Sequence, residues 1–444
     1  MAGNAGKSGQ DPRTVLELLL SQQPKTYEEI ARDFGVLARK MGEDATLTAR
    51  HLRRLASGQR SGVNPVTRRV LQMMFGKPLE ELLSPWDGAL VTAGSTPSGL
   101  VVATGHPTAD KELINVAAQR ARRFALATGQ TDLTPEAMDQ VHADVQRLAM
   151  DYPQRPLSEL LPDMIEAQDT IYTLLERQRR PGQARQLYLL AGVTGGLLAK
   201  ASHDLADPHA ALTQARTAFM CADQADHNGL RAWIRGVQSL VAYWAGRTRE
   251  AVQYAQSGAE FADLAGSTAK VWLPMNEARA WAALGNADKS RAAIRRAEEG
   301  WESVREDEVD ELGGLCTFGR ARQIYYAADA LTWLPSEAGA AQDYAERAVL
   351  EYEDESAPEW AFGDQAGSRA DLAIARIQMG ELEGATEAVV PVLDLAPEQR
   401  INGIVHSAQR VHRALRDSPL AEAGSDLQEQ IEMFTRTPLK SLPR

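Results

Sequence analysis

The sequence predicts an all-α protein: a small N-terminal helical unit followed by a long array of paired helices. Three observations carry this. The apolar residues are dominated by Ala and Leu, and runs of β-branched residues are scarce, a composition that favours helix over strand. Helical periodicity returns at Asp110 after a Gly/Ser/Thr/Pro-rich stretch and does not leave again. The second half repeats a turn signature between helical stretches. At 444 residues the chain exceeds what one compact core accommodates.

Residues 11–83 form the first unit. Pro12 opens an apolar run through Val15, Leu16, Leu18, Leu19 and Leu20. A second helix starts at Thr26, with Glu29 three residues on as a capping box. A third starts near Thr46 or Thr48. A fourth starts at Asn64-Pro65, an N-cap followed by proline at the first helical position, and runs to Gly76. A short segment, 79–83, closes the unit. Residues 84–108 are a flexible linker, 109–183 a helical connector, and 184–434 the array.

Within the array, Gly246…Ala251, Gly285…Ser290 and Gly380…Ala385 share a Gly-x4-small pattern, with Pro335…Ala340 as a degenerate copy. The glycine ends one helix, and the small residue lets the next pack closely against it. One such hairpin cannot bury its own apolar face, so neighbours stack. Gly192, Gly195 and Gly196 lie in helical pattern and are expected to permit close helix packing.

The net charge of −12 is unevenly spread. Between residues 36 and 77 nine bases face two acids, a local +7 suited to a polyanion. Cys221 and Cys316 are the only cysteines, too few for a disulfide framework or a Cys-based metal site. The histidines are scattered, and no P-loop, dinucleotide fingerprint or nucleophile elbow is present. No catalysis, metal or cofactor is expected. Residues 1–10 lack the apolar core of a signal peptide, and the apolar stretch 187–199 is broken by Thr194 and paired glycines, so a cytoplasmic location without a membrane span is expected.

Residues 52–58, Leu-Arg-Arg-Leu-Ala-Ser-Gly, have the spacing of the Ile-x-x-Trp-x-x-Gly recognition helix of the Cro/phage-repressor (Xre) type, with Leu55 in place of the aromatic. Ala38-x3-Gly42 matches the small residue and turn glycine of the preceding helix, followed by a turn longer than the family norm. A second register places the turn at Gly35 and the following helix at residues 37–41. The stretches Thr46–Gly58 and Thr67–Leu83 further resemble regulators of high-GC Gram-positive bacteria, in which such a domain precedes a helical-repeat sensor. The turn signatures, with Leu395-Ala396-Pro397 as a repeat ending, resemble the tetratricopeptide repeat over roughly residues 184–397, apart from an irregular period and an acidic insertion at 302–311. The resemblance implies a helix-turn-helix domain followed by an α-solenoid of tetratricopeptide-like hairpins.

A recognition helix reads base edges from its solvent face. With Leu47, Leu52 and Leu55 buried, Arg50, His51, Arg53 and Arg54 fall outside. Thr48 at the helix N-terminus suits a phosphate, and Arg60, Thr67 and Arg68 are expected to clamp phosphates at the flank. One such domain reads few base pairs, so a homodimer on two half-sites of double-stranded DNA is expected. Counting back from the turn glycines places Trp233, Tyr243, Trp244, Trp272, Met275, Arg279, Arg322, Tyr325, Asp329 and Trp333 in the groove of the array, as a site for a peptide, a small amphipathic effector or a protein partner. The function expected is a DNA-binding transcriptional regulator with a ligand-sensing array. The alternative is a non-enzymatic interaction scaffold that has lost DNA binding.

Overall fold

The computed structural model describes residues 13–21, 26–40, 46–58, 63, 65–75, 79–84, 133–177 and 180–436. Every regular element among them is helical. The chain divides into two compact units at residues 104 and 105.

The first unit contains α1 (Val15–Ser21), α2 (Tyr27–Lys40), α3 (Ala49–Ala56), α4 (Pro65–Phe75) and α5 (Leu79–Leu82). The capping box at the start of α2 forms as expected: the Glu29 amide donates to Thr26 Oγ1 at 3.3 Å, and the Thr26 amide donates to Glu29 Oε2 at 2.7 Å. α2 runs unbroken through Gly35, which removes the register with a turn there. Leu16, Ile30, Phe34, Leu52, Leu55, Val70, Leu71 and Leu82 build one core. The linker expected at 84–108 lies, except for Ser84, outside the described residues, as does the first part of the connector.

The second unit is a succession of helices: α6 (Pro135–Asp151), α7 (Leu157–Arg177), α8 (Pro181–Asp204), α9 (Pro208–Gln224), α10 (Asn228–Trp244), α11 (Thr248–Ala265), α12 (Ala269–Ala283), α13 (Ala287–Gly300), α14 (Arg320–Leu331), α15 (Ala338–Glu351), α16 (Phe362–Met379), α17 (Leu382–Leu393), α18 (Asn402–Arg416) and α19 (Ser425–Arg436). From α8 onward they form pairs. The first members, α8, α10, α12, α14, α16 and α18, pack successively on one another, and each second member packs on its own first. The burial pattern explains the two layers. α10 is buried almost all round, from Leu230 to Tyr243, whereas α11 buries only a stripe at Ala251, Val252, Ala255, Gly258 and Ala262. A helix apolar on every side belongs inside, and one with a stripe at three- and four-residue spacing belongs outside. One apolar core runs from Leu133 to Phe434, so residues 133–183 share it with the pairs that follow.

The turn signatures mark the turns inside pairs. Gly246, Gly285 and Gly380 have φ of +72°, +75° and +87°, and Ala251, Ser290 and Ala385 are fully buried. The degenerate copy is corrected by one residue: Pro335–Glu337 winds into a 3-10 turn, leaving Ala340 exposed and burying Ala341 instead. A further turn of this kind escapes the glycine pattern, because Ala206 takes the left-handed conformation (φ +63°) five residues before the buried Ala211. Gly196 serves close packing as expected: a Cβ there would lie 2.0 Å from Cζ3 of Trp233.

Residues 301–319, which include the acidic insertion, leave the pairing between α13 and α14. They carry three short 3-10 turns and run to α6. Gly314 (φ +54°) meets α6 so closely that a Cβ would lie 2.1 Å from the Ala149 carbonyl oxygen. Gln146 donates to the Glu311 carbonyl at 3.3 Å, and Trp233 Nε1 donates to the Leu315 carbonyl at 3.3 Å. Asp310 pins the segment to the start of α12, accepting from the Thr268 amide at 3.0 Å and from the Thr268 hydroxyl. Burial pushes the Asp310 carboxyl up to about 6, against those hydrogen bonds.

Among the described residues no helix is long and apolar enough to cross a membrane, and no cluster of three His, Cys, Asp or Glu is placed to hold a metal ion.

Candidate functional site

In the first unit, α3 is held from below by Leu52, Leu55 and Ala56, all fully buried. Thr48 caps its N-terminus, accepting the His51 amide at 3.3 Å. Thr14, just before α1, donates to the Ala56 carbonyl at 2.6 Å and ties down its C-terminal end. The consequence of this anchoring is a second face carrying Arg50, Arg53 and Arg54, all exposed, with His51 half-buried at its edge. Arg53 is drawn toward α2: its guanidinium lies 3.8 Å from Glu28 and 5.0 Å from the centre of the Tyr27 ring. Arg68 is exposed on α4. Thr67 is only 5% exposed and is withdrawn from the set, because a buried hydroxyl cannot reach a phosphate. Arg60 lies outside the described residues.

In the second unit the structure divides the expected groove in two. Trp233, Trp272 and Arg322 line a cleft on the inner layer. Met275, Arg279, Tyr325, Asp329 and Tyr243 are instead buried between helices, and Trp244 and Trp333 are half-buried against the same core. These seven are therefore withdrawn as ligand contacts. Their spacing is helical because they face neighbouring first helices, which close over the surface that an open groove would present.

What they form is a buried charge network. Asp329 of α14 accepts from Arg279 of α12, from Arg410 of α18, and from the Tyr243 hydroxyl of α10 at 3.2 Å. Arg410 also reaches the Thr332 hydroxyl at 2.6 Å and lies 3.6 Å from Asp371 of α16. Trp333 Nε1 donates to Tyr243 at 2.8 Å, and Arg279 lies 4.3 Å from the Tyr243 ring centre and 4.1 Å from that of Tyr326. Burial opposes ionisation of Asp329, yet Arg279 and Arg410 beside it hold it below the usual carboxylate range. Asp371 goes the other way: burial and the neighbouring Asp329 charge hold it well above that range.

The cleft is walled by Trp233, Val237 and Leu240 of α10, Trp272 of α12, Phe318 of the 301–319 segment, Tyr326 of α14 and Phe362 of α16. It encloses about 780 Å³, its open side included. Two polar clusters interrupt the walls. In one, Lys200 bonds both Asp204 oxygens at 2.6 and 2.5 Å, and the Tyr152 hydroxyl donates to Asp204 at 2.8 Å. In the other, Arg322 Nε donates to Asp364 at 2.6 Å and Nη1 to the Thr317 carbonyl at 3.3 Å. Burial, with Asp204 adding to it, raises the Tyr152 hydroxyl well above its ordinary value, so it stays a donor.

Several of these groups escape a repeat template. Lys200 and Asp204 do leave a signal, a charged pair four residues apart near the end of a long apolar helix, as does Asp371, a lone acid in the run Ala-Asp-Leu-Ala-Ile-Ala. Phe318 leaves none, because it belongs to the irregular segment 301–319. No protein-family model and no curated protein matches this chain.

Proposed function

We propose that this chain is a sequence-specific, DNA-binding transcriptional regulator acting in the cytoplasm. Its first unit serves as an Xre-type helix-turn-helix, with α2 as scaffold and α3 as recognition helix. Its second unit serves as a tetratricopeptide-like solenoid that senses a small ligand. The observation that carries the reading is the build of α3. An N-capped helix is anchored by Leu52, Leu55 and Ala56 and turns three arginines to solvent, within a +7 stretch of an acidic chain. Arginine reads guanine bidentately, and a single such helix covers few base pairs, so a homodimer on two half-sites follows. Because Arg53 is drawn toward Glu28 and Tyr27, Arg50 and Arg54 are assigned the base-reading role, and Arg53 that of a backbone contact.

Selection of the full chain on random-sequence duplex DNA tests this. The expected result is an enriched motif of two half-sites. Arg50→Ala/Arg54→Ala should bind it at least about thirtyfold more weakly, from two base contacts at roughly 1–3 kcal/mol each. Arg53→Ala should weaken all sequences alike and flatten the salt dependence. No enriched motif with folded protein, or the same motif at the same affinity in the double variant, overturns the reading in favour of an interaction scaffold.

A further inference from the structure

We propose that the cleft of the second unit binds a small amphipathic monoanion, with its apolar body against the apolar walls of the cleft and its charged end on Arg322. This deepens the reading of the second unit as a sensor and rests on it. The DNA-reading role rests on α3 and is tested separately.

Small-molecule sites are typically apolar with a few placed polar groups. The cleft's composition is of that kind. Three cations stand on the lining, and each has an acid beside it: Arg155 has Glu159 at 2.7 Å and Asp151 at 3.2 Å, Lys200 has Asp204, and Arg322 has Asp364. Arg322 spends Nε on Asp364 and Nη1 on the Thr317 carbonyl, and Nη2 has no hydrogen-bond partner among the described residues. Its side chain is 13% exposed. A guanidinium nitrogen with two N–H groups on an apolar wall is a donor pair for a carboxylate or sulfonate.

The shape argues for a compact occupant over an extended chain. The segment 312–318 supplies Leu315, Cys316, Thr317 and Phe318 to the wall, and its backbone is fastened to Trp233. The space that a peptide strand would need along the inner layer is thereby taken up by the protein's own backbone.

Titration of the full chain with 8-anilinonaphthalene-1-sulfonate, followed by its emission on tryptophan excitation and by calorimetry, reads the site directly. One saturable site per chain is expected. Arg322→Lys keeps a positive charge beside Asp364 but removes the donor pair. Gly363→Leu fills the cleft, where a Cβ meets only the Ile401 methyl at 3.4 Å. Each variant should weaken binding at least tenfold with an unchanged unfolding midpoint, and so should replacing the probe by the uncharged N-phenyl-1-naphthylamine. Absence of a saturable site overturns the proposal. So does a site untouched by Gly363→Leu. Equal binding of the uncharged probe overturns the anionic end. If Arg322→Lys fails to fold, Gly363→Leu and the uncharged probe decide.

Discussion

Replacing Asp329 by Asn removes the one carboxylate shared by Arg279 and Arg410. Asp329 and Arg279 are each only 1% exposed. Taking one partner from a buried ion pair costs about 3–5 kcal/mol, because the remaining charge stays desolvated. Here a reserve acid stands by. Asp371 lies 3.6 Å from Arg410, and burial together with the Asp329 charge raises its carboxyl well above the usual range, which favours its protonated form. Once the Asp329 charge is gone, the second of those causes vanishes, and Asp371 ionises against Arg410. Asp329→Asn should then cost only about 2–3 kcal/mol, below or at the bottom of the range for an uncompensated pair. Asp371→Asn alone should cost under about 1 kcal/mol, since it replaces a neutral group whose Oδ2 has no hydrogen-bond partner. The double variant has no substitute counterion and should lose more than about 5 kcal/mol, a coupling of about 1 kcal/mol or more. Urea unfolding at pH 7.5 followed by tryptophan fluorescence measures this. Urea leaves ion pairs unscreened, and seven of the eight tryptophans lie in the second unit. Additivity within about 0.5 kcal/mol, or a single Asp371→Asn as damaging as Asp329→Asn, refutes the compensation.

Two further perturbations address the 301–319 segment. The Asp310 carboxyl is raised from its ordinary 3.8 to about 6, so the folded chain binds its proton more tightly than the unfolded chain does. The corresponding stabilisation is complete below the unfolded pKa and is lost as pH rises through about 6; it amounts to at most about 3 kcal/mol. Asp310→Asn removes that titration. The stability difference between wild type and variant should therefore move in favour of wild type as pH falls from 7.5 to 4, and a pH-independent difference contradicts the burial argument. Gly314→Ala combines a left-handed residue with a Cβ 2.1 Å from the Ala149 carbonyl oxygen. It should lower stability by at least about 2 kcal/mol, against about 1 kcal/mol for Gly246→Ala, whose Cβ meets nothing within 4 Å. Equal losses in the two variants, read from urea midpoints, would mean that the segment is not pressed against α6.

The helices were legible wherever local chemistry decides them. Thr26 with Glu29, Pro65 and the small residues after Gly246, Gly285 and Gly380 act through their immediate neighbours, and the structure agrees with each. The arginine face of α3 follows from the buried leucines beneath it, which the period alone places. The groove was misjudged because its residues answer to partners far along the chain. Arg279 looks like a ligand anchor until Asp329 and Arg410, 50 and 81 residues apart from their partners, are known to meet it or each other. Ala206 was missed for a different reason: an alanine held at positive φ by its surroundings carries no mark of its own. Thr67 shows the converse error, since a hydroxyl next to Arg68 is polar in sequence yet faces the core.

Arg410 bonds Asp329 two pairs back along the second unit, and α18 also touches α8. In an open repeat stack, each unit is stabilised by its two neighbours, and end units fray or can be trimmed singly. Here the final pair sends a second arginine, beside Arg279, to a buried acid in the middle of the stack. Its loss would take one of two arginines from that acid several helices away, and not merely leave a new exposed end. The final pair is therefore expected to unfold together with the pair that carries Asp329, and not to fray alone.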